Sequence, residues 1–271
     1  MCYRNIVTIT TDFGTKDTYV GVMKGVILSI NPDAQLVDIT HEIEPGNILE
    51  AAFLLKDAYK YFPEGTVHIV VVDPGVGGKR RPIAIKMEEF FFVGPDNGLF
   101  WPIISDKDAL VVHLTNKKYF LKDISTTFHG RDIFAPAAAY ISKGVDLLDM
   151  GVLINDPVRM EIEKPKFLKD KIVGYVIRAD RFGNLITNIS KKDIEKHFGK
   201  REDLEIEIEG RKIKGFSRTY SDVASGQLLA LIGSSGFLEI SVNKGSASEL
   251  FGKKAKELKV NITLTQSDFD F

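Results

Sequence analysis

Residues 70–81 read VVVDPGVGGKRR, and this stretch decides the fold. An apolar run of this kind predicts a strand that is buried on both faces of a sheet. The run stops at Asp73, and a proline, three glycines and a basic cluster follow it. In open α/β sheets, ligands bind beyond the carboxyl ends of the strands. The stretch therefore predicts a central strand and, at its end, a place for chemistry.

The segments on either side extend this pattern into an α/β domain. Apolar and β-branched runs predict strands at 5–13, 35–40, 66–73, 82–87, 90–94 and 109–115. Helical spacing and capping residues predict helices over 17–30, after the Asn47–Glu50 pair, and over 131–144. Strands that alternate with helices indicate a mainly parallel sheet.

The first predicted helix, over 17–30, has apolar residues at helical spacing, which predicts one buried face. The residues of that face are Tyr19, Val22, Met23, Val26, Ile27 and Ile30. Pro32 ends the helix.

The pattern changes near Pro157, which divides the chain into domains 1–160 and 161–271. Residues 154–170 are charged, contain two prolines and lack an apolar period, so they predict a linker. Beyond the linker every segment indicates a strand. Hairpins are predicted around Glu209-Gly210 and within 227–242. The second domain is therefore expected to be a small antiparallel sheet or barrel.

Composition excludes several classes of protein. The chain has 271 residues, of which 44% are hydrophobic and 27% charged, as in globular proteins. Its formal net charge of −1 gives no indication of a nucleic-acid or membrane partner. The one cysteine, Cys2, excludes an internal disulfide framework. Without a run of about 18 apolar residues or a signal-peptide core, we expect a cytoplasmic protein.

Acidic residues mark the ends of three predicted strands: Asp12, Asp38 and Asp73. Any one of them is explained as the cap of a turn, because aspartate favours caps on its own account. Several acids at one edge of a sheet favour a functional site. Together with His41 and His129 they are also metal-ligand types, which leaves a metal site open.

The glycines after Asp73 do not form a phosphate loop. The segment lacks Gly-Lys-Ser/Thr, and no G-x-G-x-x-G fingerprint occurs elsewhere. The glycines predict a tight turn, a close approach of the backbone to a ligand, or both. His129, in TFHGRD, precedes a glycine and a predicted helix start, so it is either a structural histidine or part of a site.

Seven motifs then occur in a specific order. They are TTDFG, DITHEI, VVDPGVG with a following arginine, GPDNG, TFHGRD, RADRFGNLITNI and SSGFLEI. In this order they resemble the S-adenosylmethionine (SAM) hydrolase family, also called SAM hydroxide adenosyltransferases, which are relatives of the fluorinases and chlorinases. The similarity runs over nearly the full length.

The resemblance implies a fold, an assembly and a reaction. The fold is an N-terminal, mainly parallel α/β sandwich domain with a smaller C-terminal antiparallel β-barrel domain. The assembly is a homotrimer whose active sites lie between one subunit's N-terminal domain and its neighbour's C-terminal domain. The reaction, which needs no cofactor and no metal, cleaves SAM with water to adenosine and L-methionine.

The resemblance also assigns site residues. The family's Asp-Arg-His set matches Asp73, Arg80 and His129, and Arg80 is chosen over the adjacent Arg81 by spacing alone. The substrate-binding positions match Asp12 for the ribose, Phe182, Tyr220 and Asn184 for adenine, and Asp17, Asp180 and Ser234 for methionine. Ser235 stands where fluorinases carry arginine, which implies a backbone or hydroxyl contact to the methionine carboxylate.

The chemistry expected of this set is water attack on C5′ of a sulfonium cation. Arg80 and a protonated His129 would stabilise hydroxide, and Asp73 would orient the water and accept its proton. Three alternatives stay open: a SAM-dependent halogenase, a metallohydrolase, and a non-catalytic SAM- or adenosine-binding protein. Halogenases have tyrosine in place of Asp73 and serine in place of Gly130, which favours the hydrolase.

Overall fold

The computed structural model describes residues 5–201, 203–252 and 258–265. The chain separates into two units, Met1–Glu161 and Ile162–Phe271. Across the described ranges, no helix is long and apolar enough to cross a membrane.

A mixed sheet with helices on both faces forms the first unit. Its strand order is β2-β1-β3-β5-β4-β6-β7. The strands are β1 (Ile6–Thr11), β2 (Gln35–Thr40), β3 (Val67–Val71), β4 (Pro82–Met87), β5 (Phe90–Pro95), β6 (Ala109–Leu114) and β7 (Gly151–Ile154). The helices are α1 (Tyr19–Ile30), α2 (Ile48–Ala58), α3 (Trp101–Ile104) and α4 (Ala135–Ser142), the last preceded by a π-helical turn, Gly130–Phe134.

Strand β3 lies inside this sheet, as the opening stretch predicts. Val67, Ile69 and Val71 pack in the core that includes α1 and α4. Val70 and Val72 pack in a second core with α2 and α3 on the opposite face. Every residue of β3 is buried, which is why its sequence, apart from His68, is apolar without alternation.

The fold class is confirmed, and the sheet combines two pairing modes. Strands β1, β2, β3 and β5 pair in parallel, whereas β4 pairs antiparallel with β5 and β6, and β6 with β7. Only Glu88 and Glu89 separate β4 from β5. A connection this short joins antiparallel strands, because a parallel pair needs a long crossover.

The predicted buried face of α1 is partly wrong. Val20, Met23 and Ile27 are its buried residues, whereas Tyr19 is 48% and Val22 39% exposed. The helix is rotated so that the row at positions 20, 23 and 27 meets the core. Tyr19 instead contacts the rings of Phe13 and Phe128.

The second unit is an antiparallel, barrel-like sheet that confirms the predicted C-terminal architecture. Its order is β12-β11-β15-β9-β10-β14-β13, and β8 pairs with β9. The strands are β8 (Lys166–Leu168), β9 (Lys171–Ala179), β10 (Leu185–Ser190), β11 (Leu204–Ile208), β12 (Arg211–Lys214), β13 (Leu228–Ile232), β14 (Phe237–Val242) and β15 (Lys259–Leu264). The N–H of Ser217, just past β12, donates to the carbonyl of Ala230 in β13, which nearly closes the sheet.

Two expectations for the second half of the chain are corrected. The predicted linker ends too late, because Lys166–Leu168 already forms β8. Helices α5 (Lys191–Phe198) and α6 (Ala247–Phe251) lie where only strands were expected. The signal for α5 is present in the sequence, since Ser190 and Asp193 form a reciprocal capping box.

One buried histidine makes the stability of the first unit depend on pH. His68, on β3, is fully buried, and its Nδ1 lies 2.7 Å from Thr8 Oγ1. Its ring stacks on Phe92 and meets the edges of Tyr59 and Phe62. Burial lowers the pKa of His68 to about 3, so the imidazole is neutral in the folded chain.

Replacing His68 with phenylalanine is expected to flatten the acid dependence of stability. Between pH 6.5 and 3 the unfolded chain binds a proton at His68 that the folded chain does not, so stability falls as pH falls. At about 1.4 kcal/mol per pH unit, wild type should lose about 3 kcal/mol more than His68→Phe between pH 6.5 and 4. Urea unfolding of both proteins, each referenced to its own value at pH 7.5, measures the difference. Parallel pH profiles would contradict the assignment.

Candidate functional site

Asp73, Arg80 and His129 form one connected cluster in the first unit. Asp73 follows β3, Arg80 precedes β4, and His129 precedes the π-helical turn. Arg80 Nε donates to Asp73 Oδ1 at 3.0 Å, and Arg80 Nη2 contacts both Asp73 Oδ2 and, at 2.8 Å, His129 Nδ1. The side chains of Asp73 and Arg80 are 4% and 10% exposed. Arg80 is the bridge that joins the acid to the imidazole.

The two adjacent arginines point to different partners. Arg81 donates from Nε to Asp96 Oδ2 and from Nη1 to Asp156 Oδ1, both at 2.8 Å. Asp96 Oδ1 in turn accepts the N–H of Val158 at 2.8 Å. Arg81 therefore fastens the start of the segment after β7 to the sheet, whereas Arg80, which spacing favoured over Arg81, contacts Asp73 and His129.

The glycines of the opening stretch let its loop pack against the segment before His129. At Gly77, φ is +73° and a Cβ would lie 2.1 Å from the carbonyl oxygen of Thr126, so only glycine fits. The loop also turns on itself, because the N–H of Gly78 donates to the carbonyl of Gly75 at 3.0 Å. At Gly130, a Cβ would lie 3.2 Å from both Met23 Sδ and the ring of Phe128.

His129 is neutral in this arrangement, which corrects the expectation of a protonated imidazole. A guanidinium can only donate, so Nδ1 of His129 must be the acceptor from Arg80. An imidazolium has no acceptor nitrogen. Burial first, and then the nearby Arg80 charge, lower the pKa of His129 below its ordinary value. The proton of the neutral ring therefore lies on Nε2.

The other acids of the first unit are in different surroundings. Asp12 Oδ2 accepts the N–H of Gly46 at 2.8 Å, and Asp17 is exposed just before α1. Asp38 lies 2.6 Å from Lys24 Nζ and 3.1 Å from His41 Nε2. Within the described part of the chain, no three His, Cys, Asp or Glu side chains are grouped as ligands for a metal ion.

The first unit also contains an aromatic cleft that was not predicted from the sequence. It has a volume of about 300 Å³ and is lined by Phe13, Tyr19, Ser125, Thr127, Phe128 and Arg131. The Phe128 ring lies edge-on to the Tyr19 ring at 5.2 Å, and the Arg131 guanidinium lies 5.2 Å from the Phe128 centroid. The sequence does contain a signal for this cleft, because two of its aromatic residues are next to candidate site residues: Phe13 follows Asp12, and Phe128 precedes His129.

In the second unit, Asp180 organises the loop between β9 and β10. Its Oδ1 accepts the N–H groups of Phe182 and Asn184, and its Oδ2 accepts Asn184 Nδ2, each at 2.9 Å. This bonding holds Asn184 buried, whereas Phe182 is 77% exposed. An aromatic ring held out on an ordered loop is available to a planar ligand.

Tyr220 contacts a buried acid, Glu239, that sequence reasoning did not single out. Tyr220 is 45% exposed and donates from its hydroxyl to Glu239 Oε1 at 2.8 Å. Ser234 and Ser235 form the turn between β13 and β14, closed by the N–H of Gly236 on the carbonyl of Gly233 at 2.9 Å. The sequence does mark Glu239, since it is the one acid within the mostly apolar strand FLEISV, Phe237–Val242.

Comparison with known proteins identifies relatives of both units. Residues 7–151 match the SAM hydroxide adenosyltransferase N-terminal domain, and residues 174–258 match the C-terminal domain of the same name. An (R)-S-adenosyl-L-methionine hydrolase from Methanocaldococcus jannaschii is 38% identical over 262 residues, which cover 91% of each chain.

A solved structure and a more distant enzyme are also similar to this chain. The crystal structure of an uncharacterized conserved protein from Thermotoga maritima superimposes with a TM-score of 0.88 at 37% identity, over 95% of this chain and 99% of its own. A fluorinase from Nocardia brasiliensis is more distant, at 28% identity over 93% of this chain and 95% of its own.

Substituting Arg80 is expected to raise the pKa of His129. Arg80→Gln removes the nearby cation that lowers this pKa and leaves the Asp73 charge that raises it. An NMR titration of the imidazole Hε1 proton, assigned with a His129→Gln variant, measures the change. Arg81→Gln is the matched control and should leave the value near that of wild type, since Arg81 pairs with Asp96 and Asp156. Equal effects of both substitutions would contradict the separation of the two arginines.

Proposed function

This chain belongs to the SAM hydroxide adenosyltransferase family, and we propose that it is a SAM hydrolase that releases adenosine and L-methionine. The observation that carries the proposal is the Asp73–Arg80–His129 cluster, because it joins an acid, a fixed cation and a neutral imidazole at the end of a central strand. The relative from M. jannaschii is named a hydrolase, and its similarity to this chain extends over 91% of both chains.

The name of that relative specifies the R configuration, and we extend this preference to the present chain. The sulfonium of SAM is a pyramidal centre, so its two epimers exchange the positions of the methyl and aminocarboxypropyl groups. A site that holds both adenosine and methionine places the reacting C5′–S bond correctly for only one of them.

The proposed reaction is a single displacement at C5′. The water oxygen forms a bond to C5′, the C5′–S bond breaks, and its electron pair neutralises the sulfonium to give the thioether of methionine. One proton leaves the water. Sulfur departs without protonation, so the enzyme needs a way to hold water and take its proton rather than an acid for the leaving group.

In this scheme each member of the cluster has a separate task. Asp73 accepts the water proton, since each of its oxygens keeps a lone pair beside the bond from Arg80. Arg80 fixes the carboxylate through a two-point contact and provides the stationary positive charge. Neutral His129 offers its Nε2–H to the attacking oxygen, a role that replaces the imidazolium expected from sequence.

The substrate contacts follow the family pattern. We assign the ribose to Asp12 and adenine to Phe182, Tyr220 and Asn184. Methionine is assigned to Asp17, Asp180, Ser234 and Ser235. The exposure of the Phe182 and Tyr220 rings supports the adenine assignment, and the assembly we propose is the homotrimer that the resemblance implies.

The decisive experiment is incubation with SAM in ¹⁸O-labelled water. We expect adenosine that carries the label on its 5′-hydroxyl, unlabelled methionine, and faster loss of the R than of the S sulfonium epimer. Mass spectrometry of the products and chromatography of the two epimers give these results.

Two parallel incubations keep the alternatives distinct. A chloride-dependent 5′-chloro product would support the halogenase, and activity lost with a chelator and regained with a divalent metal would support the metallohydrolase. Label in methionine, or free adenine, would show that a different bond is broken. Adenosine binding without turnover would support the non-catalytic alternative.

Substitutions in the cluster should reduce turnover more than substrate affinity. We expect Asp73→Asn and His129→Ala each to lower kcat by about 10²–10⁴-fold, the usual contribution of a positioned proton acceptor or donor, with KM within about threefold. Steady-state assays measure both constants. The exposed Asp33→Asn is the control and should match wild type. A kcat close to wild type in either cluster variant would remove that residue from the mechanism.

A further inference from the structure

Glu239 is a buried carboxylate that the scheme above does not use. It lies on β14, is 7% exposed, and stands opposite Ile186 of β10 and Leu231 of β13, both of which are buried. A carboxylate between apolar strand neighbours is costly unless hydrogen bonds satisfy it. Its presence on this strand therefore calls for partners that hold it in place.

Two described side chains donate to the same oxygen of Glu239. Tyr220 Oη donates to Oε1 at 2.8 Å, and Ser241 Oγ donates to Oε1 at 2.9 Å. Ser241 is on the same strand and fully buried, so it anchors the carboxylate from within the sheet. Tyr220 belongs to a short 3-10 turn, Tyr220–Asp222, outside the sheet. The bond to Glu239 therefore fastens an irregular segment to a rigid strand.

The second carboxylate oxygen of Glu239, Oε2, lies close to Gly233. A Cβ built on Gly233 would lie 2.6 Å from Glu239 Oε2. The φ angle of Gly233 is outside the left-handed region, so the reason for glycine there is the space that the carboxylate occupies. Gly233, the neighbour of Ser234, and the hydroxyl of Tyr220 thus both lie against the carboxylate of Glu239.

We propose that Glu239 is a positioning residue for the adenine site: it holds the Tyr220 phenol so that the half-exposed ring stands ready to stack on the base. This rests on the proposed function, in which Tyr220 is one wall of that site. A ring attached through one short turn would otherwise lose rotational freedom on binding, and fixing it beforehand removes that cost. Burial and the Glu239 charge raise the pKa of Tyr220 to about 12, so the phenol stays a donor over the working pH range.

A double-mutant cycle read by adenosine binding tests the inference. Tyr220→Phe keeps the ring and loses the donor, and Glu239→Leu loses the acceptor. Each should raise the adenosine Kd and the SAM KM about three- to tenfold, as expected for one hydrogen bond to a charged group, and change kcat less than twofold. The double variant should be no weaker than either single one. Glu239→Gln, which retains an acceptor oxygen, should bind adenosine within about twofold of wild type.

The Gly233→Ala variant tests the position of the Glu239 carboxylate independently. The added methyl group displaces the carboxylate without altering Tyr220 or Glu239, so it should reproduce the Glu239→Leu defect. Tyr61→Phe, at a ring that is 77% exposed in the first unit, is the matched control and should behave as wild type. Urea unfolding of each variant separates loss of fold from loss of binding.

The outcomes distinguish this inference from the proposed function. The role of Glu239 would be overturned, and the hydrolase left intact, if wild type hydrolyses SAM and the single variants bind adenosine with the wild-type Kd. The same conclusion would follow if the losses of adenosine affinity in the two single variants add in the double variant. Wild type that binds adenosine but does not hydrolyse SAM would contradict the hydrolase, while a coupled cycle would still support the role of Glu239. Wild type that does neither would overturn both.

Discussion

The contact of Arg80 with both Asp73 and His129 is the interaction on which the candidate site depends. It joins three parts of the chain that are far apart in sequence: the end of β3, the glycine loop before β4, and the turn that begins α4. The two-point contact restricts the guanidinium to one plane, and this plane fixes where the imidazole can accept. The glycines contribute by admitting the loop to the backbone of Thr126. The two arginines after the buried strand thus have separate roles. Arg80 joins Asp73 to His129, and Arg81 fastens the segment after β7 to the sheet.

The sequence carries most of the fold, because strands and hairpins depend on local signals. The buried run of β3, the two residues between β4 and β5, and the Glu209-Gly210 turn each determine their geometry within a few positions. The errors arise where the outcome depends on distant contacts or on weak local signals. The rotation of α1 is set by what packs against it, so Val20 is buried in place of Val22. Helix α5 was missed because its eight residues are mostly charged, so its signals are only the capping box, the Ile194–Phe198 pair and the C-cap Gly199.

The family resemblance proposed residues for the candidate site, whereas their contacts and the charge state of His129 come from the structure. The resemblance implied Asp73, Arg80 and His129, with Arg80 chosen over Arg81 by spacing, and in the structure Arg80 contacts the other two whereas Arg81 pairs with Asp156. Protonation could not be read in this way, since it depends on which atom of His129 faces a donor. Glu239 was missed for a related reason. An isolated acid in a strand is easily taken for a surface residue, and only the positions of Tyr220, Ser241 and Gly233 reveal that it is buried and bonded.

The pairing of Asp73 with Arg80 also fits the electrostatics of the proposed reaction. The substrate is a cation whose charge disappears as the C5′–S bond breaks. A carboxylate left unpaired beside it would bind the ground state more strongly than the transition state and would slow the chemical step. With Arg80 attached and His129 neutral, the cluster has a formal charge of zero and does not stabilise the sulfonium in this way. A halide brings its own negative charge and has no proton to lose, whereas water needs an acceptor. Under the proposed function, a neutral cluster that still contains a carboxylate meets the requirement of water, because Asp73 can accept the proton while its charge is balanced by Arg80.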